Sequence, residues 1–221
     1  MISLYPSLTA ASLHDLKTIA KLLEPYCAGF HLDVRDGVFV PTTELSERVA
    51  SDIDAVTKHP SWVHLMVQDP MASYEKLTLK PGSIISFHIF TNKLSEKTIH
   101  DLVKKIKDNK CKAGLAIRPS TPVERIFPYL HLFDQILVMS VQPGSYGQTF
   151  LPDALKKIAP LIEQRKKQNL HFKIAMDGGI NQKNIASLAA AKVDMVAIGA
   201  AIFASADPVQ ALRDMQKLVG E

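Results

Sequence analysis

Apolar positions along the chain follow two alternating rhythms. Short runs rich in β-branched and aliphatic residues occupy 2–7, 30–34, 62–67, 84–89, 113–117, 135–140, 172–177 and 195–198. Between them lie longer stretches with apolar residues spaced three and four apart, at 14–23, 46–58, 70–79, 95–109, 122–130, 151–167, 182–190 and 207–219. The first rhythm predicts strands and the second amphipathic helices. Several helical stretches open at or just after a capping residue, as at Ser46, Thr121 and Asn181. The strand runs are nearly continuously apolar, the pattern of parallel strands covered on both faces. Eight pairs in 221 residues leave about 27 residues per pair, near the minimum for a strand, a helix and two turns. The reading is an α/β fold, a single (β/α)8 TIM barrel domain over residues 1–221. A doubly wound open sheet is the alternative. Its Gly-x-Gly-x-x-Gly fingerprint is missing after the first run, where Ser7-Leu8-Thr9-Ala10-Ala11 stands instead.

Composition agrees with a globular chain: 47% of residues are hydrophobic and 22% charged, enough to build a substantial core. No apolar run approaches the ~20 residues of a membrane helix, and the opening residues lack the basic start of a secretory signal. A cytoplasmic protein with no membrane partner is expected. The net charge of +4 comes from 26 Lys and Arg against 22 Asp and Glu. The basic residues fall in short helical clusters such as Lys104-Lys105 and Arg165-Lys166-Lys167, not in the continuous stripe that nucleic acid demands, so no nucleic-acid partner is expected. Cys27 and Cys111 form no metal-type or redox pair and are read as packed thiols.

The chemistry gathers where the predicted strands end. In a parallel barrel the inward side chains near the strand C-termini form the floor of the active site. Here the second run carries His31-Leu32-Asp33, the third His64-Leu65-Met66, and the fourth ends in His88. The seventh ends in Asp177, followed by Gly178-Gly179. Side chains two apart on a strand share a face, so His31 lies with Asp33, and His64 with Met66. If those faces point inward, two imidazoles and two carboxylates converge, a set suited to one divalent ion such as Zn, Fe, Mn or Co. A single histidine at a strand end is ordinarily structural, and His88, His100, His131 and His171 are read that way. For the group of four the structural reading is harder to hold, because burying two carboxylates without a cation costs several kcal/mol or forces protonation. Glycines form a second constellation: Gly144 and Gly147 after the sixth run, Gly178-Gly179 after the seventh, and Gly199-Ala200 after the eighth. Each is compatible with a tight turn. Together, after consecutive strands, they favour backbone N–H groups gripping a phosphate.

Taken in order, the motifs resemble the ribulose-phosphate 3-epimerase family over essentially the whole chain. They are Pro6-Ser7-Leu8, the segment from His31-Leu32-Asp33 through Asp36-Gly37 to Val40-Pro41, and Val63-His64-Leu65-Met66-Val67. They continue with Met139-Ser140-Val141-Gln142-Pro143-Gly144, Gly147-Gln148-Thr149-Phe150, Met176-Asp177-Gly178-Gly179 and Gly199-Ala200-Ala201-Ile202-Phe203. The resemblance implies a metal-dependent isomerase of the ribulose-phosphate-binding barrel type. It would act in the pentose phosphate pathway, interconverting D-ribulose 5-phosphate and D-xylulose 5-phosphate through an ene-diolate, and would form a homo-oligomer. It implies His31, Asp33, His64 and Asp177 as metal ligands, with Asp33 and Asp177 as the catalytic acid/base pair. Substrate contacts implied are Ser7, His64, Met66, Met139, Gly144, Ser145, Tyr146, Gly147, Asp177, Gly178, Gly179, Gly199 and Ala200.

Several positions depart from the family pattern. Arg35 stands where relatives carry Met, Val38 where His is usual, and Ala200 where a Ser hydroxyl would help hold phosphate. Three other readings follow from these departures and from the shared glycine loops. They are an epimerase of another ketose phosphate such as allulose 6-phosphate, a barrel that binds a phosphosugar without turnover, and a barrel decarboxylase or tryptophan-pathway isomerase.

Overall fold

Eight parallel strands carry the structure, a computed structural model that describes residues 2–11, 16–91, 94–144 and 147–220. They are β1 (Ser3–Pro6), β2 (His31–Arg35), β3 (Trp62–Met66), β4 (Ile84–His88), β5 (Lys112–Ile117), β6 (Gln135–Met139), β7 (Lys173–Asp177) and β8 (Met195–Ile198). All lie within a residue or two of the apolar runs. They pair in the order β1-β8-β7-β6-β5-β4-β3-β2. The two ends of that order meet through a single parallel bridge between Ser7 and His31, supported by the Ala28 N–H donating to Leu4 O at 3.0 Å. The sheet therefore curls into a barrel with one lightly bonded seam, between β1 and β2.

Helices return the chain between strands: α1 (Leu16–Leu23), α2 (Glu47–Val56), α3 (Pro70–Tyr74), α4 (Glu96–Asp108), α5 (Ile158–Lys167), α6 (Ile185–Ala190), α7 (Ala200–Phe203) and α8 (Pro208–Val219). The predicted start of the first helix, at His14, lies outside the described residues. Among the described residues, four helices begin with a side-chain oxygen accepting from an early N–H: Ser46 from Val49, Asp69 from Ala72, Ser95 from Thr98 and Asp207 from Gln210.

Two helical expectations need correcting because of a proline. The stretch 122–130 is a 3-10 segment (Val123–Leu132), because Pro128 inside it has no N–H and its ring would strike the carbonyl four residues back. The stretch 151–167 is α-helical only from Ile158. Pro160 cannot donate to Lys156, so Pro152–Lys157 winds as 3-10. The four-residue α7 is too short to have left a periodic signature.

Side-chain alternation divides the core into two shells. Leu32, Val34, Val63, Leu65, Ile85 and Phe87 point outward and pack beneath the helices. Trp62, Ile84, Ala116, Leu137, Ala175, Met195 and Ala197 fill the barrel axis. The same alternation sends His31, Asp33 and Arg35 of β2, His64 and Met66 of β3, and Asp177 of β7 inward, above the Trp62 plug.

Candidate metal and substrate site

The floor of the site is built by strand register. Asp33 pairs with His64 across β2 and β3, and His31 stands one inward step below, its ring edge-on to Trp62 at 4.6 Å. His64 Nδ1 lies 3.3 Å from Asp33 Oδ1 and 3.8 Å from Asp177 Oδ2. One ligand atom from each of His31, Asp33, His64 and Asp177 falls within 4.8 Å of the other three.

The chemistry of these atoms fits a cation. Of the buried side-chain nitrogen and oxygen atoms that lack a hydrogen-bond partner among the described residues, three belong to this cluster: His31 Nε2, Asp33 Oδ1 and His64 Nδ1. Unpartnered buried polar atoms are costly, and three in a cluster whose members can each offer a ligand atom are what a divalent ion would satisfy.

Electrostatics sets the two carboxylates apart. Burial alone would raise Asp33, but His31, His64 and Arg35 outweigh it and hold the carboxyl well below the usual range. Asp177 is pushed well above that range by burial and by the charge of Asp33, with Arg35 opposing. Two acids driven in opposite directions can hold one proton between them. Burial brings His31 down to about 4, with Asp33 opposing and His64 and Arg35 adding to the effect, so its ring is neutral near pH 7. A neutral imidazole is the form that ligates metal.

Above the floor lies a cavity of about 340 Å³ at the C-terminal end of the strands. Its wall contains Ser7, Met66, Met139, Gly144, Gly147, Asp177, Gly178, Gly179, Gly199 and Ala200. His31 and His64 sit beneath it, fully buried. Ser145 and Tyr146 lie outside the described residues. Met66 and Met139 cluster with Phe39 and Val40 as the apolar side of the mouth. Next to Met139, past the end of β7, Gly178 has φ +119°, and a Cβ there would stand 2.4 Å from Val141 Cγ2. Gly179 has φ +65° and would collide with the Phe150 backbone nitrogen, so neither position admits a side chain. The Ser140 hydroxyl donates to the carbonyls of Asp177 (3.0 Å) and Gly178 (2.6 Å), while Asn181 and Asn184 donate to that of Gly179.

Residues outside the sequence-derived set also reach the site. Arg35 points inward and is buried, its Nη2 3.8 Å from Asp33 and its Nη1 3.4 Å from Glu44. Nη1 also donates to Thr42 Oγ1 (3.4 Å), which in turn donates to Gly144 O (3.0 Å), joining the loops after β2 and β6. Thr9 donates to Asp33 Oδ2 at 3.0 Å, and His88 Nε2 lies 3.1 Å from His64 Nε2. His88 was legible by the alternation that found His64, since it ends β4 on the inward face. Thr9 falls beyond the end of β1, where alternation gives no guidance.

Fold and cluster together define a (β/α)8-barrel enzyme with a candidate metal centre at the C-terminal ends of its strands. The sequence matches the ribulose-phosphate 3 epimerase family over residues 3–203, and the chain belongs to that family. It is therefore an isomerase of the epimerase type. It is 33% identical over 202 residues to the ribulose-phosphate 3-epimerase of Treponema pallidum, covering 91% of each chain. It is 31% identical over 212 residues to the chloroplastic ribulose-5-phosphate-3-epimerase of Arabidopsis thaliana, covering 96% of this chain and 75% of that one. Among solved structures, a 3-hexulose-6-phosphate synthase from Salmonella typhimurium superposes with a TM-score of 0.67 at 16% identity over 99% and 98% of the two chains. A phosphoribosyl anthranilate isomerase from Thermococcus kodakaraensis does so with a TM-score of 0.66 at 13% identity over the whole of both. These last two likenesses are of the barrel fold.

Proposed function

We propose that this protein interconverts D-ribulose 5-phosphate and D-xylulose 5-phosphate by inverting C3. One divalent ion would be held by His31 Nε2, Asp33, His64 Nδ1 and Asp177. The observation that carries the reading is the cluster of two buried histidines and two aspartates, with three unpartnered ligand atoms among them and the two carboxyls opposed in proton affinity. A bound dication supplies charge stabilisation for the oxygens of the sugar as C3 loses its proton, a hydrogen acidic only through the adjacent C2 ketone.

Inversion needs an ionised carboxylate on one face of C3 and a protonated carboxyl on the other. Asp33 and Asp177 reach the cluster from β2 and β7, the proton affinity of the first lowered and that of the second raised. After one turnover the pair has exchanged roles, which suits a reversible reaction. Met66 and Met139 wall the mouth without offering an exchangeable proton and keep bulk water from quenching the planar intermediate. The phosphate would lie against the glycine turns after β7 and β8. There Gly178 and Gly179 let backbone approach closely, and the chain enters the first turn of α7 through Gly199 and Ala200, both on the cavity wall.

The test is incubation of the purified protein with D-ribulose 5-phosphate in deuterated water, alongside elemental analysis. Deuterium entering C3, with about one equivalent of metal per chain, is the expected result. Phosphosugar binding without exchange by fully metallated protein would overturn the reading.

A further inference from the structure

We propose that Thr9 and His88 are positioning residues that lock the two imidazoles of the cluster in single tautomers, with Nε2 of His31 and Nδ1 of His64 left bare for the ion. The proposal rests on the metal reading above, but its geometry can be tested without the metal.

A neutral imidazole has one N–H and one lone pair, so the nitrogen that donates outward decides what the other presents inward. For His31 the assignment follows by counting protons along a chain of hydroxyls. Thr9 Oγ1 donates to Asp33 Oδ2 at 3.0 Å, which commits the only hydroxyl proton Thr9 has. In the 2.9 Å contact between Ser7 and Thr9, Ser7 must then be the donor. With its own proton committed, Ser7 accepts in the 3.3 Å contact with His31 Nδ1. His31 therefore carries its proton on Nδ1, and Nε2, the buried atom without a partner, is the bare nitrogen. The chain runs His31 to Ser7 to Thr9 to Asp33, beginning and ending on members of the cluster.

His64 is fixed from the other side. Its Nδ1 faces Asp33 Oδ1 at 3.3 Å but is not aligned for a hydrogen bond. Its Nε2 lies 3.1 Å from His88 Nε2. We take Nε2 as the donor to His88, which puts the proton of His88 on Nδ1 and leaves Nδ1 of His64 bare for a cation; the reverse tautomer would have Nδ1 donate to Asp33. His88 is held against rotation by the Phe39 ring at 4.8 Å. The Arg118 guanidinium in turn lies 4.3 Å from the centre of that ring, and Arg118 donates to Phe39 O at 3.5 Å. Partners that orient a ligating histidine in this way ordinarily change metal affinity by about 10- to 100-fold when removed.

Two measurements decide the matter. Nitrogen-15 NMR of the histidine rings in metal-free parent protein near pH 7 should show the proton on Nδ1 of His31 and on Nε2 of His64. The opposite tautomer at either ring overturns the proposal, whether or not any variant folds. Cobalt(II) affinity, measured by chelator competition and the visible d–d bands, should fall about 10- to 100-fold in Thr9→Val and His88→Phe. It should return to within a few-fold of the parent in Thr9→Ser and His88→Gln, which restore a hydroxyl and an acceptor. Unchanged affinity in the first pair, or loss that the second pair does not recover, overturns it. Parent protein that takes up no cobalt would sink the metal reading instead, while the ring NMR still decides the tautomers.

Discussion

Arg35 Nη2 stands 3.8 Å from Asp33 Oδ2, two residues further along the inward face of β2. A permanent cation thus borders the proposed metal ligands, with Glu44 offsetting part of its charge from the far side. A guanidinium this close repels a dication, and it also adds to the forces holding Asp33 ionised. Since His31 and His64 already favour the ionised carboxylate, repulsion should dominate the balance. Arg35→Met should therefore bind divalent metal about tenfold more tightly, on the order of 1–2 kcal/mol. Calorimetric titration of metal-free protein would show it, and equal or weaker binding would mean that the ion pair with Glu44 cancels the charge.

Asp177→Asn leaves the shape of the site but removes the carboxyl whose proton affinity burial and Asp33 raise. Carbon-3 deuterium exchange should fall at least about a thousandfold, within the range assigned to a positioned acid or base. The variant should still bind the phosphosugar in equilibrium dialysis. Retention of more than a tenth of the exchange rate would assign the second proton transfer to another group.

Asp36 accepts from the backbone N–H groups of Gln68 (2.7 Å), Val38 (2.8 Å) and Phe39 (2.8 Å), which pin the loop after β2. Burial raises its proton affinity, but these donors together outweigh it and hold the carboxyl below the ordinary range. Its native pKa lies below the unfolded one, so its contribution is full above the unfolded value, about 4, and fades as pH falls through the native value. Asp36→Asn should cost about 1 kcal/mol at pH 7, allowing for solvent screening, and the gap from parent should narrow as pH falls below about 4. Urea unfolding at a series of pH values measures it, and a gap constant with pH would locate the effect in shape alone.

Gly179→Ala meets the main chain, not a movable side chain: the new carbon would lie 2.4 Å from the Phe150 nitrogen and 2.9 Å from Gln148 O, at φ +65°. A loss of roughly 2–4 kcal/mol in unfolding free energy is expected from the strained turn and the displaced loop. Inorganic phosphate should also inhibit the variant less than the parent. Parent-like stability would show that the loop after β6 yields freely.

Strand alternation made the cluster readable. His31, Asp33, His64 and Asp177 announced themselves because a charged or imidazole group inside an otherwise apolar strand has few structural explanations. The same rule applied to His88, yet a single histidine weighed too little until its distance to His64 was known. Thr9 and Glu44 left no such mark, since hydroxyls and carboxylates in loops are common and only the folding of β1 against β2 brings Thr9 to Asp33. Arg35 stood out as a departure from the family pattern, but its direction depended on Glu44 and Thr42 reaching back over the strand end. The helical misreadings share one cause: Pro128 and Pro160 fit an amphipathic period while forbidding the hydrogen bonds that an α-helix requires.

The seam between β1 and β2 gives the site a second duty. One bridge, Ser7 to His31, joins the strands there, and the hydroxyl chain ending on Asp33 crosses the same gap. The groups that would gather the ion are thus also the fastener of the cylinder at its thinnest join. An occupied centre would cinch the first and second strands together, and stripping it should let this edge breathe before any other. Hydrogen exchange at residues 3–7 and 31–35 would then quicken while β4 to β6 stay quiet.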